Sequence, residues 1–435
     1  MKLSPFIQEF HRWFSDLPVG GAWGRTLKKS IQRNLRWFWF DGLFASASDN
    51  IMLNFISLYI LSLGATEGQI GLMSSISSVV GAIILLPGAL LAERTGRKKL
   101  FAAFCGGGAR FMILILVFVP IFFKGLNVVW IAIAFSVLRD SFNNLAFPAW
   151  MSVANEIVPI DGRGRYFGSR NFVMGITGMV GTLLAGKLIT LLVAEQGYQI
   201  ALGVAFVLGA SSTFSYSHIH DLPALPVKLK ESGLSLRSLV NMVKAKPQFI
   251  ALMATAALWN FAVNVAGPFF NVHMVQDLKF DATSVGFLAV VSSFTSMAAQ
   301  NQIGALSDRL GTRRLQLASM IVIPALPIAW LFATHVWQIA IINIFSGIMW
   351  GVFNLVSFNL LLASIPQKQV PLFSAVYQIV VMLSLALGAL IGSAIITRWG
   401  FAEVLVVSAV CRIFAAGLFA KLVHDPQNSP VQLTE

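Results

Sequence analysis

Long apolar runs are the feature of this sequence that most constrains its fold. Twelve such runs follow one another with short loops between them, and each approaches the roughly 20 residues that an α-helix needs to cross a bilayer. Hydrophobic residues make up 57% of the chain and charged residues only 11%, too few to cover a water-exposed surface. The runs are apolar all round instead of alternating, which favours spanning helices over the strands of an outer-membrane barrel.

We therefore predict two groups of six spanning helices. The predicted domains are an interfacial or cytoplasmic N-terminal segment (1–35), a first bundle (36–217), a cytoplasmic linker (218–247), a second bundle (248–424) and a cytoplasmic tail (425–435). The predicted spans are 37–63, 68–92, 99–123, 126–157, 166–194, 198–217, 248–275, 281–306, 313–333, 336–364, 371–396 and 400–422.

A short charged stretch occurs twice and interrupts the apolar pattern both times. The copies, Ala89–Leu100 and Gly304–Leu315, begin 215 residues apart and carry an acid, a basic residue and a glycine in register. The same offset carries Asp49 onto Asn264 without a gap. A repeat of this length indicates two homologous halves.

These stretches resemble the loop motif of the major facilitator superfamily, G-x-x-x-D-[RK]-x-G-[RK]-[RK], which joins the second and third membrane helices and recurs between the eighth and ninth. The first copy departs from it with Ala89 and Glu93. The resemblance covers nearly the whole chain and implies an all-α membrane protein whose 12 transmembrane helices form two pseudo-symmetric bundles, a secondary transporter working by alternating access. The motif residues are Glu93, Arg94, Gly96, Arg97, Asp308, Arg309, Gly311 and Arg313.

The resemblance also implies that the two motif acids act as a gate. Each acid lies at the C-terminus of its own helix, where the helix dipole is unfavourable, so it needs a partner elsewhere. Glu93 would meet the start of the eleventh helix near Pro371, and Asp308 the start of the fifth near Arg165. Such contacts would form and break between states. The alternative is that these loops only set membrane topology.

The basic residues are distributed unequally between the two sides of the membrane. Of 31 Lys and Arg, 24 fall in alternate loops and termini on one side, including three near 163–170, and three fall on the other. The positive-inside rule places both termini in the cytoplasm of a bacterial inner membrane. The net charge of +13 therefore reflects topology, and no nucleic-acid partner is expected.

Charges inside the predicted spans are candidates for ion coupling. Asp49 and Arg139 should both lie near the membrane midplane, where they would pair, and Asp49 would take up a proton as the Arg moves away. A purely structural pair is the alternative. Asp140 points about 100° away from Arg139, so we expect that the two acids cannot pair equally well with it.

Three further cations lie in apolar runs: Arg110, Lys187 and Arg412. They exceed the available acids and would suit an anionic substrate if they face a cavity. The alternative is structural packing of Arg110 and Arg412 and snorkelling of Lys187 to the interface.

The second half has no acid at the position of Asp49. It offers amides and aromatic residues instead, which suit binding better than proton transfer. The candidate substrate-cavity residues are Asn50, Arg110, Trp259, Asn260, Asn264, Trp350, Asn354 and Tyr377.

Apolar residues between Phe6 and Phe14 recur at helical spacing and predict a helix on the inner membrane face; residues 1–35 do not read as a secretory signal. Small residues should let helices approach closely in the fifth and eleventh spans. They are Gly175, Gly178, Gly181, Ala185, Gly388 and Gly392.

The remaining expectations concern function. Neither a metal site nor a cofactor is expected, and no nucleotide-binding loop occurs. The predicted protein is a monomer that transports a small organic solute with protons, leaning to efflux of an amphiphilic or anionic compound. The alternatives are a proton-coupled importer of a small polar solute, a membrane-embedded enzyme, and a transport-dead sensor or assembly factor.

Overall fold

The computed structural model describes residues 16–94, 96–192, 194–220, 241–244, 246–365 and 370–424. These ranges hold twelve main helices and no strand, which confirms the predicted all-helical membrane fold. The helices are α1 Lys29–Ser62, α2 Glu67–Arg94, α3 Lys98–Phe122, α4 Leu126–Ile157, α5 Arg163–Leu191, α6 Ala194–Ser217, α7 Pro247–Ala266, α8 Ala282–Leu310, α9 Thr312–Val322, α10 Val336–Ala363, α11 Val370–Trp399 and α12 Phe401–Leu422.

Two spans predicted as continuous are interrupted by proline. After α7 the chain makes the 3-10 turn Gly267–Phe269 and resumes as the short helix Phe270–Gln276. After α9 it resumes as Ala325–Trp330, next to Pro324. Proline removes a backbone donor and collides with the preceding turn, which weakens the helix at both places. Pro87, Pro120 and Pro148, in contrast, lie inside continuous helices.

Ten helices of the described residues are long and apolar enough to cross a membrane by composition alone. The interrupted ninth span and α4 fall below that standard. In α4 the reason is the pair Arg139 and Asp140 at its centre, which lowers the mean hydropathy of the surrounding segment. A weak apolar signal here marks buried charge and not a missing helix.

The described residues that precede α1 pack on the start of α5. Ser169 Oγ donates to the Leu17 carbonyl at 2.6 Å, and the Trp23 ring occupies the space that a side chain at Gly162 would need. The first span begins at Lys29, earlier than predicted. The predicted interfacial helix around Phe6 and most of the predicted linker lie outside the described residues.

The helices cluster into two compact units. The first contains α1, the part of α2 after Ile83, and α3 to α6; the second contains Gly64–Ile83 and α7 to α12. The predicted boundaries kept all of α2 in the first bundle. Within the second unit, Ser393 Oγ of α11 donates to the Gly68 carbonyl at 2.7 Å, and Gly71 lies where a Cβ would collide with Phe269.

Glycines bring the first and fifth helices of each unit close together. A Cβ at Gly178 of α5 would lie 2.6 Å from Asn50 on α1, and one at Gly181 would lie 3.3 Å from the backbone of α1. In α11, Cβ atoms at Gly388 and Gly392 would collide with backbone carbonyls of α7. The predicted close approach is therefore present in both units.

Candidate functional site

Asp49 lies in the middle of α1, and its carboxylate joins three helices. Arg110 of α3 pairs with both oxygens, Nη1 with Oδ1 and Nη2 with Oδ2, the latter at 3.1 Å. Arg139 of α4 donates Nη2 to Oδ1 at 3.0 Å. The predicted Asp49–Arg139 contact is present, and Arg110 adds a bidentate partner, the geometry that a guanidinium and a carboxylate favour.

Arg139 also holds Asp140, through Nη1 and Oδ1 at 3.0 Å. The expectation that the two acids could not pair equally well with this arginine was wrong. A guanidinium presents separate nitrogens in a planar fork, so Nη1 can serve Asp140 while Nη2 serves Asp49. Two arginines and two carboxylates thus form a neutral cluster, in which Arg110 is not a surplus cation.

A second buried ion pair joins Asp41 of α1 to Arg170 of α5, and the sequence reasoning missed it. Arg170 Nη2 lies 3.2 Å from Asp41 Oδ2, and Ser212 Oγ of α6 donates to Asp41 Oδ1 at 2.7 Å. The two charged side chains are only 4% and 8% exposed. The interpretation of Arg170 as one of the loop charges near 163–170 was wrong. Arg170 lies inside the first unit.

Arg170 fits a closely built pocket. Its Nε donates to the Phe38 carbonyl at 3.1 Å, and its guanidinium lies 4.3 Å from the centre of the Phe38 ring and 5.3 Å from that of Trp150. A Cβ at Gly42 would approach it to 2.6 Å, so this site requires glycine. One signal could have revealed the pair: Asp41 and Asp49 are eight residues apart and share one side of α1.

A cavity of about 390 Å³ lies inside the first unit among α1, α3, α4, α5 and α6. Asp41 and Asp49 both border it, and the Asp49 side chain is 44% accessible, whereas the side chains of Arg110 and Arg139 are 9% and 12% exposed. The remaining walls are small, aromatic or polar. The lining is Ala45, Ala102, Ala103, Gly106, Arg110, Arg139, Asn143, Ala146, Phe147, Trp150, Arg170, Met174, Ser212, Thr213 and Tyr216.

The second unit fills the corresponding space with aromatic rings. Its pocket among α7, α9, α10, α11 and α12 measures only about 20 Å³. Trp259, Asn260 and Tyr377, three of the predicted substrate residues, line it. Trp259 stacks on Phe353 at 5.1 Å between ring centres. Asn260 turns its amide back onto the Ala256 carbonyl at 2.8 Å.

Three other predicted substrate residues of the second unit do not line this pocket. Trp350 lies beside Trp259, with ring centres 6.3 Å apart, and Asn354 is exposed. Asn264 donates to the Leu385 carbonyl of α11 at 2.7 Å.

The structure shifts the predicted correspondence between the first helices of the two halves by one residue. Asn264 faces α11, and the α1 residue that faces α5 in the same way is Asn50, next to Gly178. Asp49 therefore corresponds to Val263. The offset changes from 214 to 215 in the loop that follows, which has four residues after Ser62 and five after Gln276.

Each motif loop has a glycine with positive φ, but the contacts of the two loops differ. Gly96 and Gly311 both have positive φ, 60° and 85°, which favours glycine at each. Lys98 reaches Glu156 at 2.8 Å, whereas Arg313 Nη2 donates to the Ala420 carbonyl at the end of α12, also at 2.8 Å.

The side chains of Glu93 and Asp308 lie outside the described part of the chain, so their gating contacts stay a prediction. Of the other motif residues, Arg94, Arg97 and Arg309 are exposed.

Two helical units with a repeated helix order, and ion pairs between membrane helices of the first unit, are typical of membrane transporters. The profile of the Major Facilitator Superfamily matches residues 38–272 and 252–435. The chain belongs to this superfamily and is a membrane transporter, not an enzyme.

Several relatives are named for multidrug resistance, and some of them as efflux pumps. The multi-drug resistance efflux pump PmrA of Streptococcus pneumoniae serotype 4 is 24% identical over 396 residues, which cover 88% of this chain and 94% of PmrA. The multidrug resistance protein MdtG of Salmonella typhimurium is 25% identical over 402 residues, with the same two coverages of 88% and 94%.

Solved structures with the same fold transport other solutes. The nucleoside transporter NupG superposes with a TM-score of 0.70 at 12% identity, covering 90% of this chain and all of that one (100%). The D-xylose-proton symporter gives 0.69 at 10% identity, covering 91% and 98%. At these identities the likeness establishes the fold alone.

Proposed function

We propose that this chain is a proton-coupled exporter of small amphiphilic organic compounds that works by alternating access. The observation that carries the proposal is the Asp49 carboxylate, which is held by the buried Arg110 and the largely buried Arg139 yet is 44% accessible to a cavity. An accessible carboxylate can exchange a proton with water. Its protonation would weaken the contacts that tie α1 to α3 and α4, so proton uptake and helix packing would be linked.

The relatives named as efflux pumps, PmrA and its homolog, support export over import. The charge balance supports an amphiphilic over an anionic substrate. In the described core of the first unit, Arg110, Arg139 and Arg170 are matched by three aspartates, and Lys187 is exposed. This core offers no surplus of positive charge to an anion.

The distribution of basic residues supports a bacterial inner-membrane location with both termini in the cytoplasm. The proposed partners are protons, the lipid bilayer and a small-molecule substrate, with the protein acting as a monomer.

The test of proton coupling is transport into or out of proteoliposomes under an imposed pH gradient, with ethidium as the fluorescent probe. Asp49→Asn should reduce gradient-driven transport to less than about a tenth of wild type while downhill exchange continues, because only the coupling step loses its carrier. Asp49→Glu should retain part of the activity.

The matched control is Asp140→Asn, which removes the other carboxylate on Arg139 and should leave coupling in place. If Asp49→Asn transports under the pH gradient as fast as the wild type, the proposal is refuted. Ethidium accumulation on the side opposite to that expected for proton exchange would favour the importer alternative.

A further inference from the structure

Arg412 is a buried cation without a charge partner among the described residues. It lies at the middle of α12 with only 3% of its surface exposed. Its Nη2 has one long contact, 3.5 Å to the Val263 carbonyl of α7, and its Nε has no hydrogen-bond partner in the described part of the chain. A guanidinium stays protonated in proteins, and a buried charge is very unfavourable unless it is paired.

No acidic residue is placed to neutralise Arg412. The sequence contains no Asp or Glu in 247–276, 282–307 or 309–402. Glu403 is nine residues away on α12, about 14 Å along the axis and on the opposite side of the helix. Arg412 itself is about 15 Å from both helix ends, too far for its side chain to snorkel to the interface.

The indole N–H of Trp259 on α7 is a second buried donor without an acceptor among the described residues. It lies at about the height of Arg412 along the contact between α7 and α12. The two helices run antiparallel, since Ser408 Oγ donates to the Ala262 carbonyl while Phe419 lines a pocket with Leu252. Arg412 therefore lies level with the helical turn between Trp259 and Val263. Trp259 is 1% exposed, and its Nε1 has no partner among the described residues.

In the first unit, a buried arginine at a comparable place has a carboxylate partner. There Arg110 lies against Gly209 of α6, where a Cβ would collide with it, and meets the carboxylate of Asp49 on α1. The second unit also places an arginine between its first and sixth helices, but Val263 stands at the position of Asp49. This arginine comes from the sixth helix of its half, whereas Arg110 comes from the third, and no carboxylate stands beside it at the Asp49 position.

We propose that Arg412 and the Trp259 indole N–H form a binding site for a small monovalent anion inside the second unit. The anion, chloride or a compact carboxylate, supplies the negative charge that Asp49 supplies in the first unit. Trp259 donates a hydrogen bond and Arg412 the charge, the combination that a halide or carboxylate accepts. The site does not depend on proton coupling or on the transported compound.

The test is the thermal stability of the purified full chain in detergent at constant ionic strength, with sodium gluconate replaced stepwise by sodium chloride or sodium formate. A bound anion stabilises the folded state, so the wild-type Tm should rise by about 3 °C as the small anion reaches 150 mM. If chloride raises the Tm and formate does not, the site is specific for halides. If formate raises it as well, small carboxylates also bind. Equal Tm in all three salts would overturn the proposal.

Four variants locate the effect. Arg412→Met should abolish the anion dependence, and Trp259→Phe, which removes only the N–H, should raise the half-saturating concentration severalfold. Val263→Asp should remove the dependence by supplying a carboxylate in place. Arg398→Gln, at an exposed arginine near the end of α11, should behave as wild type.

Either of two results would exclude this site: full anion dependence in Arg412→Met or in Val263→Asp. Should Arg412→Met fail to fold, the wild type and Val263→Asp still decide the question.

Discussion

At the scale of single residues, the core of the first unit is organised by buried charges that neutralise one another. Asp49 and Arg139 could be found from sequence because they interrupt long apolar runs. Asp41 and Arg170 are less evident, because each lies within a few residues of a predicted helix end, where charge is ordinary. Only the packing of α5 and α6 against α1 shows that both are removed from water.

Removing the carboxylate of the Asp41–Arg170 pair should destabilise the protein. Asp41→Asn would leave the Arg170 guanidinium buried without its counter-charge, and we expect a loss of about 3–5 kcal/mol in the free energy of unfolding. Chemical denaturation of the purified protein in detergent would measure it. Asp161→Asn, at an exposed acid next to α5, is the control and should change little. Equal stabilities of the two variants would show that the pair contributes nothing.

At the scale of helices, small residues decide which pairs pack closely. The glycines of the fifth and eleventh spans were recognisable by their spacing, and the structure places them against α1 and α7. The breaks after α7 and α9 lie at Pro268 and Pro324. Pro87, Pro120 and Pro148 lie inside continuous helices, so proline in the sequence does not by itself predict where a span is interrupted.

A larger side chain at one of these contacts should separate the helices. Gly388→Val would drive a side chain into the Phe261 carbonyl, a backbone atom that cannot rotate away, and should destabilise the protein by roughly 1–3 kcal/mol. The matched change is Gly417→Val on α12, where a Cβ would meet nothing within 4 Å. The Tm of both variants in one detergent would compare them; an equal decrease would contradict the role of Gly388 in close packing.

At the scale of the whole molecule, the two halves share one order of helices but differ in the residues that fill their cores. The first unit keeps a charged cavity of about 390 Å³, and the second closes the corresponding space to about 20 Å³ with aromatic side chains. This difference supports proton exchange in the first unit.

The proposed topology predicts which loops are reachable from outside the cell. In a variant without Cys105 and Cys411, Lys279→Cys should react with a membrane-impermeant maleimide in intact cells. Arg97→Cys, in the first motif loop, should react only after the cells are permeabilised, because the positive-inside rule places that loop in the cytoplasm. The opposite labelling pattern would show that the orientation is inverted.

The sequence by itself determined the membrane class, the twelve spans, the two halves and the family, because each rests on local hydropathy or on a motif repeated at fixed spacing. It also indicated Asp49 and Arg139. Tertiary structure alone decided that Arg110 is bound to Asp49, that Asp41 and Arg170 form a buried pair, and that Arg412 has no carboxylate beside it. Those facts depend on which helix faces meet, and the free energy of a buried charge is set by neighbours far away in the chain.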